Sequence, residues 1–355
     1  MTPHSKPSEL PSIEDPRLQP VWHADRVWNG IATLPDGRAF ASFPSCDGPG
    51  VQAAEILQDG SLRAYPDQAW NVVREPASPD GAFVRVNALR VGPDGNVWVI
   101  DAGAPGIGAK AVPGGARLIV IDPATDQIVR IHDVSAAVKP HTYIDDIRFN
   151  GDHIYITDAG EPGLIVLNLV TGMVRRVLDR HPSTIDQRDM LADGKLLITE
   201  KHAPLRVHAD QLEVSPDGRF LYYQPSSGPL ARIETSLLDN ANASAASLEA
   251  GVEVFYDSPT TGGTAIDANG DLYISDTNRR RILKVSPAGQ ESVLIEDPRL
   301  IWSDAMWIDR EGWLWIPATQ QNLTPGFANG EMHVAYPVWI YRMHIGVGPA
   351  LNDHR

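Results

Sequence analysis

Six copies of one short motif recur along the chain, and this repeat restricts the fold more than any other feature of the sequence. The copies begin at Asn29 (NGIATLPDGRAFAS), Asn87 (NALRVGPDGNVWVID), Asp145 (DDIRFNGDHIYITD), Asp210 (DQLEVSPDGRFLYY), Gly262 (GGTAIDANGDLYISD) and Asp304 (DAMWIDREGWLWIP). Each reads as an apolar strand, a tight turn whose glycine can take positive φ, and a second strand rich in Val, Ile, Tyr and Trp. The turn glycines at 37, 95, 151, 218, 270 and 312 are 58, 56, 67, 52 and 42 residues apart. Such spacings suit a four-stranded sheet of ~40–50 residues plus its loops. Further strands fit between the copies at 117–121, 164–168 and 281–285. The fold expected is therefore all-β, a six-bladed β-propeller, because a β-sandwich would not explain a repeat with fixed internal register.

The flanking segments complete this picture. Residues 18–27 alternate weakly and are expected to pair with 338–345, closing the ring between the two ends of the chain. Residues 1–16 carry four prolines and read as a flexible leader, leaving 17–348 as one domain. Residues 239–248, rich in Asn, Ala and Ser, read as a surface excursion or short helix.

Composition narrows the partners. A net charge of −15 would repel a phosphate backbone, which argues against nucleic acid. The longest apolar run, near 163–170, is strand-sized, far from the roughly 20 residues of a membrane helix. The N-terminus has no apolar stretch of the secretory kind. The single cysteine, Cys46, excludes an intramolecular disulfide framework or a multi-cysteine zinc site, and no basic residue in its own turn activates it. These features fit an acidic cytoplasmic protein that acts on a small molecule, its oligomeric state unassigned. Serine-hydrolase elbows, Walker loops, His-Glu-x-x-His and dinucleotide fingerprints are absent from the sequence.

Eight residues before each turn glycine, or six in the shortened third copy, lies the start of a blade's innermost strand. These positions are Asn29, Asn87, Asp145, Asp210, Gly262 and Asp304, and in a propeller they form a ring at one mouth of the axial channel. Three carboxylates converging on an axis repel unless protons or a cation neutralise them. Oxygen donors without cysteine favour a hard ion, Ca²⁺, Mg²⁺ or Mn²⁺. A second set, Asp101, Asp158 and Asp276, ends the next strands outward and reads as structural. The loop 102–115 is small and rich in Gly and Pro, as a lid would be. His141, Lys201, His202 and His208 lie on loops near the same mouth, as candidates for proton transfer or substrate contact. Glu55, Trp70, Trp302, Trp307, Trp313 and Trp315 read as packing residues.

The stretches FVRVNAL from Phe83, YIDDIRF from Tyr143, YITDAG from Tyr155 and HADQLEVSPDGRFLYY from His208, with SDAM from Ser303, resemble the yellow/major royal jelly protein family. That resemblance spans roughly 20–345 and implies six blades; some members are linked to dopachrome conversion, a tautomerisation. The secreted insect members carry a signal and disulfide cysteines that this sequence lacks. More broadly the chain is similar to gluconolactonase/regucalcin-like propellers. Those hold an axial divalent metal on a Glu, two Asn-type positions and an Asp, with an Arg two residues before an Asn on the substrate. Arg85 and Asn87 match that pair, Asn29 stands where the family shows Glu, Asp145 where it shows Asn, and Asp210 where it shows Asp.

The resemblance and the ring together imply metal-assisted lactone or ester hydrolysis. Asn29, Asn87, Asp145 and Asp210 would hold the metal, Asp210 or Asp304 would take the proton, and His208 and His141 would assist. Arg85, Lys201 and His202 would contact substrate. A dopachrome-type tautomerase and a non-catalytic ligand-binding propeller are the alternatives.

Overall fold

The computed structural model describes residues 10–354, so the first nine residues of the expected leader fall outside the described part. Six four-stranded antiparallel sheets surround one axis. Blade 1 comprises Ile31–Thr33, Ala39–Ser42, Ala53–Ile56 and Leu62–Ala64, and blade 2 Val86–Val91, Val97–Ala102, Ala116–Asp122 and Gln127–Asp133. Blade 3 comprises Ile144–Asn150, His153–Asp158, Gly163–Asn168 and Val174–Val177, and blade 4 Ala209–Val214, Phe220–Pro225, Leu230–Glu234 and Glu253–Tyr256. Blade 5 comprises Thr264–Ile266, Leu272–Asp276, Arg281–Val285 and Glu291–Glu296. In blade 6, Trp307–Ile308, Trp313–Ala318 and Val338–His344 are followed outward by Gln19–Ala24, from the other end of the chain.

This is the expected six-bladed propeller, closed as expected. Gln19 faces Arg342 and Ala24 faces Val338 in an antiparallel register, and Trp22 stacks on Trp315 with centroids 4.8 Å apart. All six turn glycines have φ between 56° and 91°, which explains their fixed place in the repeat: a side chain there would be strained. Inner strands such as Val86–Val91 are buried throughout, whereas the outer Gln127–Asp133 is largely exposed. The excursion after blade 4's third strand holds two short helices, Thr235–Asp239 and Ala245–Ala250. At the front of the described chain, Asp15 is tied down. Its N–H donates to Asp297 Oδ2 at 2.7 Å and its carbonyl accepts from Arg299 Nη2 at 3.0 Å.

Midway along the axis the blades are joined by a buried ionic network. Arg148 donates Nε and Nη2 to the Glu213 carboxylate at 2.9 and 2.7 Å, and Nη1 to Asp146 at 2.8 Å. Arg90 also binds Asp146, through Nε at 3.0 Å, and gives Nη1 to the Met306 carbonyl at 3.1 Å. Thr264 Oγ1 donates to Glu213 at 2.8 Å. Residues from blades 2, 3, 4 and 5 and the start of blade 6 thus meet in one bonded cluster. Beyond it the C-terminal tail folds under the axis: the His354 ring stacks on Trp307 at 3.6 Å and its Nε2 lies 2.7 Å from the Ile308 carbonyl.

Removing one partner from a buried charged network leaves the other uncompensated, at a cost of about 3–5 kcal/mol. Glu213→Ala is therefore expected to lower the unfolding free energy read from urea denaturation by that amount. Glu213→Gln, which keeps an acceptor for Arg148, should lose clearly less.

Candidate functional site

The ring forms where the innermost strands begin. All six positions found by counting back from the turns, Asn29, Asn87, Asp145, Asp210, Gly262 and Asp304, line one cavity of about 30 Å³. Side-chain bonds running from blade to blade hold them there. Asn29 Nδ2 donates to the Asn87 carbonyl at 3.0 Å, and Asn87 Nδ2 to the Asp145 carbonyl at 3.4 Å. Thr157 Oγ1 donates to the Asp210 carbonyl at 2.7 Å, and Gln211 Nε2 to the Gly262 carbonyl at 3.0 Å. An amide can donate sideways and keep an oxygen for the axis, which a carboxylate cannot. Glycine at 262 has a different cause: a Cβ there would strike the Ser303 carbonyl of blade 6.

Above the cavity opens a vestibule of about 540 Å³. Asn87, Ile107, Gln321 and Phe327 line both spaces and so form the wall between them. Ile107 comes from the loop 102–115, which does lie over the mouth. Arg85 lines the vestibule and donates Nη1 to the Pro44 carbonyl and Nη2 to the Pro105 carbonyl, tying that loop to blade 1. Arg206 is another basic wall residue, paired with Asp186 and Asp189 at 3.3 Å each. Lys201 also lines the vestibule, beside Glu200. Burial, outweighing every other influence, pushes the Cys46 thiol in this wall up to about 12, which keeps it protonated.

The three histidines are not brought to either cavity. His141 is exposed, with Nδ1 3.2 Å from the Ala109 carbonyl; His202 is exposed, with Nδ1 2.7 Å from Asn329 Oδ1. His208 Nδ1 accepts the Asp186 N–H at 3.1 Å, and burial lowers its affinity for a proton. Sequence proximity to a ring residue did not convert into a side chain on the axis, because these rings turn outward to brace loops. The outward aspartates are braces too. Asp101 accepts from Arg117 and from the Val84 and Arg85 N–H groups; Asp158 accepts from Arg176 and three backbone N–H groups; Asp276 accepts from Arg281 and Asn278 N–H.

Two contributors have a signal that the sequence contained. The residue two places before a ring position is Arg85, Tyr143 or Trp302 in blades 2, 3 and 6. Tyr143 donates its hydroxyl to Asn87 Oδ1 at 3.1 Å. Trp302, expected only to pack, donates Nε1 to Asp304 Oδ2 at 2.9 Å, while Asp304 Oδ1 accepts the Ala305 N–H at 2.8 Å. Ser226 Oγ donates to Asp210 Oδ2.

Electrostatics set this ring apart from the network below it. Burial, then the Asp210 charge, raises Asp145 well above the usual carboxylate range; burial and Asp210 do the same to Asp304. Burial raises Asp210 as well, and it shares a hydrogen bond with Asp145. Burial would also raise Asp146, but the Arg90 and Arg148 guanidiniums outweigh it and hold that carboxyl far below the usual range. The ring lacks any such cations of its own. Among the described residues, no three His, Cys, Asp or Glu side chains converge tightly enough to hold an ion by themselves. An ion at the ring would draw on the Asp145 and Asp210 carboxylates together with amide oxygens of Asn29 and Asn87. That all-oxygen donor set fits a hard divalent cation.

The sequence model of the major royal jelly protein family matches residues 84–334. No curated protein matches the sequence. Among solved structures, a gluconolactonase from Xanthomonas campestris is 15% identical, with TM-score 0.57 over 92% of this chain and 89% of its own. A luciferin-regenerating enzyme is 12% identical, with TM-score 0.58 over 94% and 96%. A virginiamycin B lyase from Staphylococcus aureus, solved with quinupristin, is 12% identical, with TM-score 0.55 over 92% and 99%. At these identities the likeness is one of fold.

A carboxyl whose folded pKa is raised binds its proton more tightly in the native state, so its contribution to stability is lost as pH rises through that value. Asp145→Asn cannot ionise and escapes this loss. With chelator present it is expected to melt above the wild type at pH 8, and calorimetry at decreasing pH should find the gain vanishing toward pH 4.

Proposed function

The chain belongs to the major royal jelly protein family, and we propose that it is an enzyme that opens lactones or related esters at the mouth of its propeller. The observation that supports this reading is the pairing of an oxygen-lined, carboxylate-rich ring with a vestibule large enough for a small molecule. A 30 Å³ cavity has room for an ion or a water but not for a lactone, so the reacting carbonyl would reach the ring from the vestibule.

Asn29, Asn87, Asp145 and Asp210 would hold Ca²⁺, Mg²⁺ or Mn²⁺. Bound there, the ion would act as a Lewis acid toward the ester carbonyl. Arg85, fixed between two loops, would orient the substrate, and Lys201 would add positive charge at the outer wall. With the cation offsetting the Asp210 charge that raises it, Asp304 would ionise and accept the proton of the attacking water. The new bond joins water oxygen to the carbonyl carbon, the ring C–O bond breaks, and the proton passes from Asp304 to the departing alkoxide. Ile107 and Phe327 would limit access of bulk water during these steps. His141, His202 and His208 have no part in this scheme, since each is committed to a loop contact.

A pH-stat assay over a panel of lactones tests the reaction. Stoichiometric release of acid is expected, abolished by chelator and restored by one of the three cations. Asp304→Asn, which removes the base, should keep the wild-type fold while turnover falls about 10²–10⁴-fold, and Asp210→Asn should weaken the dependence on added cation. Consumption of catechol-derived quinones without acid release would support the tautomerase alternative instead, and saturable ligand binding without turnover would support a binding propeller.

A further inference from the structure

Two side chains that disfavour a left-handed backbone adopt one in the same corner of blade 6. Trp302 has φ 52° and Gln320 φ 57°. For a bulky residue this is an outlier, and such outliers persist where surrounding structure enforces them. The two segments are bonded across: Thr319 N–H and Oγ1 both donate to the Trp302 carbonyl, at 3.1 and 3.0 Å, and Gln320 N–H donates to the Ile301 carbonyl at 3.1 Å.

The distortion fixes a connection between the vestibule and the ring. The Gln320 side-chain amide exchanges two 2.8 Å bonds with the Ala335 backbone, closing the loop that carries Phe327. Phe327 meets the Trp302 ring edge-on at 5.5 Å and 79°. Trp302, only 3% exposed, directs its one polar atom at Asp304 Oδ2. With Oδ1 on the Ala305 N–H, both carboxylate oxygens have a fixed donor. A phenylalanine would fill the same apolar cluster, with Ala102, Tyr143, Leu205 and Val207, but would leave Asp304 without its side-chain donor.

We propose that Trp302 is a positioning residue: its indole N–H, wedged by Phe327, sets the orientation of the Asp304 carboxylate across the axial cavity. The proposal rests on the reading of the ring as a catalytic centre. Trp302 would not touch substrate; it would act through Asp304.

The test combines kinetics with a measurement that needs no turnover. In Trp302→Phe, loss of one hydrogen bond to a charged group should lower kcat about 10–100-fold, with KM within about threefold. Adding Trp302→Phe to Asp304→Asn should lower kcat no further, because the pair acts as a unit. In ¹⁵N-labelled protein the Trp302 indole resonance should move in Asp304→Asn. The Trp98 indole, which donates to Asp94 at 3.1 Å, should stay in place. The spectral arm reads the pair from the Asp304 side and so does not depend on Trp302→Phe folding. Lactone turnover that Trp302→Phe leaves unchanged, or additive losses in the double variant, would overturn the positioning role while the hydrolase reading stands. Absence of lactone turnover in the wild type would overturn the hydrolase reading alone. A Trp302 indole resonance indifferent to Asp304→Asn would overturn the positioning role whatever reaction the ring performs.

Discussion

The buried contact of Arg148 with Glu213 and Asp146 is the interaction on which the axis depends. Desolvating these charges is expensive, and only the paired geometry offsets it. Asp146 and Arg148 share a strand of blade 3, but Glu213 comes from blade 4 and Thr264 from blade 5, so the network is satisfied only when these blades stand in register, with Arg90 adding blade 2 and the start of blade 6. Once that level is fixed, the strand starts one layer above have no freedom to drift. The ring of Asn and Asp residues is held by what lies beneath it as much as by its own bonds.

The two layers treat acids in opposite ways. Asp146 sits between guanidiniums and stays ionised. Asp145, its neighbour in sequence, lines a cavity shared with Asp210 and Asp304 and resists ionisation. The register of their hairpin shifts between Ile144 and Ile147 and both carboxylates line the channel, so it is the Arg90 and Arg148 guanidiniums that separate a paired charge from a strained one. The lower layer pairs its charges, and the upper layer carries the electrostatic strain.

Blade 6 shows how that strain is shared with the backbone. Its inner strand is only two residues long, Trp307–Ile308, and the segment before it carries the left-handed Trp302 and meets the next strand through the Ser303–Ala318 bridge. This relaxes the regular pleat where Trp302 must reach Asp304. In blades 2, 3 and 4 the ring residue sits instead at a register shift of the first hairpin.

The six turns and their glycines were legible in the sequence, and with them the propeller, its closure by residues 19–24 against 338–342, and the six positions that line the axial cavity. Repetition made this possible: a fixed count from a turn reaches the same place in every blade, whatever the loops do. The roles of the loop residues were not legible by that route. His141, His202 and His208 lie close to ring residues in sequence, yet their imidazoles turn to a loop carbonyl, an asparagine and a backbone amide. Trp302 reads as packing, yet its indole nitrogen meets a ring carboxylate. Both outcomes depend on side-chain direction after the chain leaves the strand, where no period constrains it. The sequence by itself determined where the strands begin and turn, because backbone geometry and burial alternate along the chain. Only the tertiary structure decided which polar atoms share the axis, because those partners come from different blades and from loops that follow no repeat.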